Sequence, residues 1–283
     1  MRAALAAPLA AVLLAPAACG GPDSTASLPA PDQPLPRRPA PLARLLAEDT
    51  RALHAAIDRW RRDGDPARGG PPREVTLRAL FHQRIHILLA DHPGLARAVL
   101  RPLAPGLRAE ARDLVAADRS LARLTPAARA RRFRTGPARP AGVLLRYYRT
   151  AERRFGVSAR VLAAINLVES GFGRLRNRSR AGARGPMQFI ASTWRAYGMG
   201  GDVDDPHDAI LGAARYLRAA GAPNHYRRAL YAYNRSGLYV NAVLRLARRM
   251  RVDSRAYYVL YSWQVFVRTR KGLRRITGPP PLR

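Results

Sequence analysis

Apolar positions recur at helical spacing along most of the chain. Residues 43–62 place Leu45, Leu46, Leu53, Ala56, Ile57 and Trp60 in the stripe of a moderately amphipathic helix. The turn-rich patch GDPARGGPP at 64–72 closes it. Residues 74–91 put Leu77, Leu80, Phe81, Ile85, Leu88 and Leu89 on one face and end at Asp91-His92-Pro93-Gly94. Helices are also predicted over 94–101, 105–124 and 126–133, with no strand-like alternation and no internal repeat. Glycines and prolines at Gly136-Pro137 and Pro140-Ala141-Gly142 mark a break. Helical spacing resumes over 142–155 and 158–170, then from Met187, Gln188 and Phe189 to Tyr197, then over 207–220 and 224–234. The tail, 254–276, reads as a short helix followed by a small hairpin around Lys271-Gly272. The predicted class is all-α, with a helical accessory region at 43–135 and a second helical domain at 140–283.

The helix at 158–170 carries the chemistry. Ser158 is a suitable N-cap, and Val161, Leu162, Ile165 and Val168 recur at helical spacing. Gly171 tolerates the left-handed backbone of a helix terminus. That leaves one acid, Glu169, in the last turn of a mostly apolar helix. The partial negative charge of the helix C-terminus and the apolar surroundings both favour its protonated form. A carboxylic acid that stays protonated near neutral pH is what glycosidic bond cleavage needs as a general acid. The plainer reading is a helix-end acid paired to Arg174 or Arg176.

Three segments in order sharpen this reading. They are Glu169-Ser170, then Gly185-Pro186-Met187-Gln188, then Ala232-Tyr233-Asn234, with Ser179-x-x-Gly182-Ala183 between the first two. Together they resemble the catalytic core of the lytic transglycosylases, lysozyme-like enzymes that cut bacterial peptidoglycan. The resemblance covers roughly residues 140 to 265. It implies a lysozyme-like domain with Glu169 as the catalytic acid. It further implies that Ser170, Met187, Gln188, Tyr233 and Asn234 contact substrate, and it implies no cofactor. Met187 and Phe189 also suit simple core packing, and Tyr231 reads as core. The chain departs from the family pattern at Pro186, where leucine or isoleucine is usual, and at Arg235-Ser236-Gly237, where Ala-Gly is usual.

The family mechanism explains why a second acid is dispensable. One glutamate protonates the leaving oxygen, the substrate's N-acetyl group supports C1, and the muramic C6 hydroxyl attacks C1. The product is a 1,6-anhydro sugar. Two rival readings use the same fold: a hydrolytic muramidase with Asp204 or Asp208 as base, and a cell-wall binding protein without catalysis.

Composition adds three things. The 283 residues are 47% hydrophobic, enough for a packed core. The formal net charge is +31, and Lys271 is the sole lysine among the basic residues. With abundant Ala, Pro and Gly, that pattern reads as a coding bias toward arginine. No nucleic-acid motif accompanies it, so nucleic acid is not expected as a partner. Peptidoglycan strands are. At the N-terminus, residues 1–19 pair Arg2 with an apolar run and small residues, the pattern of a secretory signal. Cys19, the only cysteine, precedes Gly20-Gly21 and resembles the lipidated cysteine of bacterial lipoproteins. Export to the cell envelope follows, with membrane attachment through Cys19; an ordinary signal peptide with an incidental cysteine is the alternative. Residues 20–42 read as a disordered, Pro-rich linker.

Two further clusters invite a metal reading. His82 and His86 stand four apart on a helix, and Asp202, Asp204 and Asp205 crowd one loop. The histidines lack a neighbouring acid and sit beside Phe81 and Ile85, which favours packing. The aspartates lack the twelve-position spacing of a calcium loop, which favours turn and helix capping.

Overall fold

A computed structural model describes residues 27–125, 133–270 and 272–280. The signal segment with Cys19, the first part of the expected linker, most of the helix expected at 126–133, and Lys271 lie outside the described residues. The order is α1 (Pro39–Asp63), α2 (Arg73–Asp91), α3 (Pro93–Leu100), α4 (Pro105–Leu124), α5 (Ala141–Phe155) and α6 (Ala159–Ser170). Then come α7 (Ala191–Tyr197), α8 (Pro206–Ala219), α9 (Tyr226–Tyr233), α10 (Gly237–Val252) and α11 (Arg255–Ser262). The chain ends in an antiparallel hairpin, β1 (Phe266–Thr269) with β2 (Gly272–Arg275), in the register Phe266 to Arg275. The described residues are all-α apart from that hairpin.

The helix ends follow local chemistry. Proline occupies the first turn of α1, α3, α4 and α8, where its missing N–H costs nothing. Asp205 caps α8 by accepting from the backbone N–H of His207 and Asp208. Ser158 caps α6 by accepting from Arg160 N–H, and the hydroxyl of Tyr226 accepts from Ser158 N–H at 2.8 Å.

α6 is the centre. It buries Val161, Leu162, Ala163, Ala164, Ile165 and Asn166, so it is apolar round most of its circumference. Such a helix must be surrounded rather than laid on a surface. α5, α8, α10 and α11 pack about it. Leu53, Ile57, Trp60, Val75, Leu114 and Ala117, all from residues 43–135, belong to the same core as α6. A smaller core gathers Leu42, Leu46, Phe81, Leu89, Val99 and Val115. α1, α2 and α4 thus each span both cores, and α4 lies along α10. His82 and His86 are fully buried here with rings 4.2 Å apart, each about 6 Å from Trp263.

Residues 27–38, expected within the linker, are laid against α2. Arg84 donates to the carbonyls of Gln33 at 2.8 Å and Asp32 at 3.3 Å, and Arg37 lies 3.1 Å from His92 Nε2. The expected helical entry of Met187, Gln188 and Phe189 is also corrected. Arg184 and Phe189 form a two-way backbone bridge, each N–H donating to the other's carbonyl at 2.9 Å. Between them Gly185 (φ 74°) and Gln188 (φ 51°) adopt left-handed backbone. α7 therefore begins only at Ala191. Tyr231, read as core, is 51% exposed; Tyr233, two positions on, points inward instead.

Candidate active site

α6 ends as its sequence demands. Gly171 adopts φ 59° and ψ 47°, and its N–H returns to Leu167 O at 2.9 Å. The turn delivers Glu169 to the floor of a groove of about 1050 Å³. The loop Asn177–Arg180, Gln188, Asn234 and Tyr239 line it. The groove continues between α2 and α4 on one side and β1 on the other, along Ile87, Leu121, Leu124, Val265 and Val267. Residues 43–135 therefore build part of the lining of the groove that holds Glu169.

Glu169 is partly buried, and the Tyr239 hydroxyl donates to its Oε1 at 2.7 Å. Burial raises its pKa from 4.5 to about 7, against the opposing hydrogen bond from Tyr239. Neither Arg174 nor Arg176 pairs with it. Arg174 donates to Gly171 O and lies over the Tyr261 ring, while Arg176 reaches Pro137 O. Oε2 has no hydrogen-bond partner among the described residues, so one carboxyl oxygen is held and the other is available.

The remaining expected residues divide. Gln188 and Asn234 line the groove. The Gln188 amide donates to Gly185 O at 3.0 Å, which leaves its Oε1 for a ligand. Tyr233 sits behind them: its hydroxyl donates to Met187 O at 2.6 Å, and its ring stacks parallel to Tyr239 at 6.4 Å. Ser170 also borders the groove, but its side chain and that of Met187 are buried. Met187 is fully buried, with its sulfur accepting from Asn166 Nδ2 at 3.2 Å. Ser170 is 2% exposed. Its hydroxyl donates to Pro186 O at 2.6 Å and accepts from Gly173 N–H at 2.8 Å. The Glu-Ser pair is thus an acid in the groove and a hydroxyl that pins the 185–189 turn beside it.

Two groups were invisible in the sequence. Tyr239 lies between the helix predicted at 224–234 and the tail, in a stretch where no element is predicted. Asp118, on α4, is the other carboxyl lining the groove. Burial raises its pKa to about 7, with Asp91 adding to the rise, and its Oδ2 is buried without a partner. Asp204 and Asp208, the acids weighed as hydrolytic bases, do not line the groove. Asp204 pairs with Arg184, and Asp208 accepts from Asp202 N–H at 3.0 Å. Asp205, His207 and Asp208 lie close enough to share a cation, but their oxygens are engaged in capping α8 and closing the preceding loop.

A helical domain with a buried carboxyl of raised pKa in an elongated groove has the layout that glycan cleavage uses. Residues 146–251 match the family model described as Transglycosylase SLT domain, and this part of the chain is a lysozyme-like domain of the lytic transglycosylase kind. Peptidoglycan is the substrate this domain implies. No curated protein and no solved structure matches the chain.

Proposed function

We propose that the protein cleaves the MurNAc-GlcNAc β-1,4 linkage of peptidoglycan without water, leaving a 1,6-anhydromuramyl end, with Glu169 as both acid and base. The observation that carries this reading is the state of Glu169: at a pKa of about 7, both protonation states are populated at neutral pH. In the first step the Glu169 proton passes to the glycosidic oxygen as the C1–O bond breaks. The substrate's own N-acetyl carbonyl supports C1. In the second, the carboxylate takes the proton of the C6 hydroxyl as O6 bonds to C1. The proton removed equals the proton supplied, so Glu169 ends as it began.

The surroundings suit both steps. Burial and the helix C-terminus favour the acid before cleavage. The Tyr239 O–H, 2.7 Å from Oε1, stabilises the carboxylate between the steps. Gln188 and Asn234 offer amides to sugar hydroxyl and N-acetyl groups. Tyr233 positions rather than reacts, by holding the carbonyl of Met187.

Asp118 favours one second reading: a hydrolase in which it activates water, since two carboxyls line one groove. Mass spectrometry of peptidoglycan digests by the wild type, Glu169→Gln and Asp118→Asn separates the two. The proposal expects ends one water lighter than hydrolytic ends from the wild type and from Asp118→Asn, and almost none from Glu169→Gln. Hydrolytic ends that vanish with Asp118→Asn would establish the second reading instead. Intact peptidoglycan after wild-type treatment, with the protein still bound to it, would reduce the function to binding. Export and attachment through Cys19 belong to the same proposal and are tested by metabolic labelling with a fatty acid in wild type and Cys19→Ala.

A further inference from the structure

A cleft of about 380 Å³ lies between α3 and α4, outside the matched segment and lined by none of the groove residues. Its floor is apolar: Ala96, Leu100, Val115 and Ala116. Its rim carries Arg97, Arg101, Arg108, Arg112 and Arg119, and no acidic residue lines it. Helix geometry explains the alignment. Arg97 is on α3 and Arg101, four positions on, caps its C-terminus; Arg108, Arg112 and Arg119 recur at spacings of four and seven on α4, which keeps each set on one face.

The acids of α4 point elsewhere. Glu110 lies 3.8 Å from Arg249, and Asp113 pairs with Arg245 at 3.1 Å, both on α10. α4 therefore sorts its charges by face, and among the described residues no acid lines the cleft beside these arginines. Two of them are fixed by backbone carbonyls. Arg108 donates to Leu103 O at 2.7 and 3.1 Å, and Arg119 to Ala90 O at 3.2 Å. Arg97, Arg101 and Arg112 are exposed, with no hydrogen bond or ion pair from their side chains among the described residues.

Five guanidinium groups around one cavity repel each other unless an anion joins them. Guanidinium forks match phosphate oxygens, and the apolar floor suits hydrocarbon rather than a free ion. The ligand this describes is an amphiphile with a phosphate. Its setting agrees. The N-terminal stretch reaches the fold beside this cleft, where Arg37 meets His92 at 3.1 Å, next to the lining residue Pro93.

We propose that the α3–α4 cleft binds the headgroup of an anionic phospholipid at a membrane surface. α4 then has a membrane side, at Arg108, Arg112 and Arg119, and a groove side, at Asp118 and Leu121. Docking through the cleft would hold the groove at a set height and angle above the lipid. The idea does not depend on the reaction at Glu169.

With a net charge of +31, any anionic surface attracts this protein, so the test compares variants of equal charge. Wild type, R97Q/R101Q/R112Q and R195Q/R215Q/R228Q are sedimented with phosphatidylcholine vesicles, with and without phosphatidylglycerol, at physiological ionic strength. The second triple removes three exposed arginines outside the cleft. A basic residue near an anionic surface is worth about five-fold in partitioning, so the cleft triple should lose roughly 100-fold. The milder R97Q/R101Q should lose roughly 25-fold. The control triple should lose far less, and all variants should unfold at the wild-type temperature. Equal losses in the two triples would reduce the effect to diffuse charge and overturn the proposal. Undiminished vesicle binding by the cleft variants would overturn it too, including the case where they lose binding to purified cell wall instead.

Discussion

Replacing Glu169 with Gln tests the site through stability as well as turnover. Between its two protonation states, a pKa raised from 4.5 to about 7 is worth at most about 3 kcal/mol. The sign follows from proton counting. Below pH 4.5 the carboxyl is protonated whether the chain is folded or unfolded, and it adds no pH dependence. Between pH 4.5 and 7 the unfolded chain gives up this proton first, so the folded state binds more protons and loses stability as pH rises. Above pH 7 the full cost of a buried carboxylate is present. Glutamine cannot ionise, and its Oε1 can still accept from Tyr239. The stability of Glu169→Gln relative to wild type should therefore rise by up to about 3 kcal/mol from pH 4.5 to pH 8, or roughly 5–10 °C in Tm. Urea unfolding at four or five pH values in that window measures it. Over the same range wild-type kcat/KM should fall above about pH 7 as the general acid loses its proton. Turnover of the variant should be lower by about 100- to 10,000-fold. Stability curves of the two proteins that stay parallel from pH 5 to 8 would refute the claim that burial sets the state of this acid.

Other changes probe the supports. Tyr239→Phe removes a hydrogen bond that lowers the Glu169 pKa, so the alkaline limb of the pH–rate profile should move upward. The maximal rate should fall about tenfold, as expected for losing one bond to a charged group. Ser170→Ala leaves Pro186 O and Gly173 N–H without their partner, which should cost about 1–3 kcal/mol in chemical denaturation. KM should barely change, because the hydroxyl is buried; a large rise in KM with stability intact would restore Ser170 as a substrate contact. Gly185→Ala is worse on two counts: the position has φ 74°, and a Cβ there would collide with the carbonyl of Val203. A loss of several °C in Tm together with a raised KM is expected, through distortion of the turn that carries Gln188.

What the sequence determined by itself is local. Ser158, the apolar spacing after it and Gly171 define α6 within a dozen residues, because capping and helical period depend only on near neighbours. The same rules placed α1, α2, α4 and α8 within a few residues of their observed ends, and identified Glu169 as the acid worth watching. They failed where backbone pairing overrode spacing. Met187 to Phe189 looked like the start of a helix, but the Arg184–Phe189 bridge and the left-handed Gln188 make it a turn, which turns Met187 into the core. Tertiary structure alone decided the rest. Tyr239 reaches Glu169 from 70 positions away, and Asp118 enters the groove because α4 lies along α10. Such meetings depend on how several buried faces satisfy one another at once, and no single stretch of the chain encodes that.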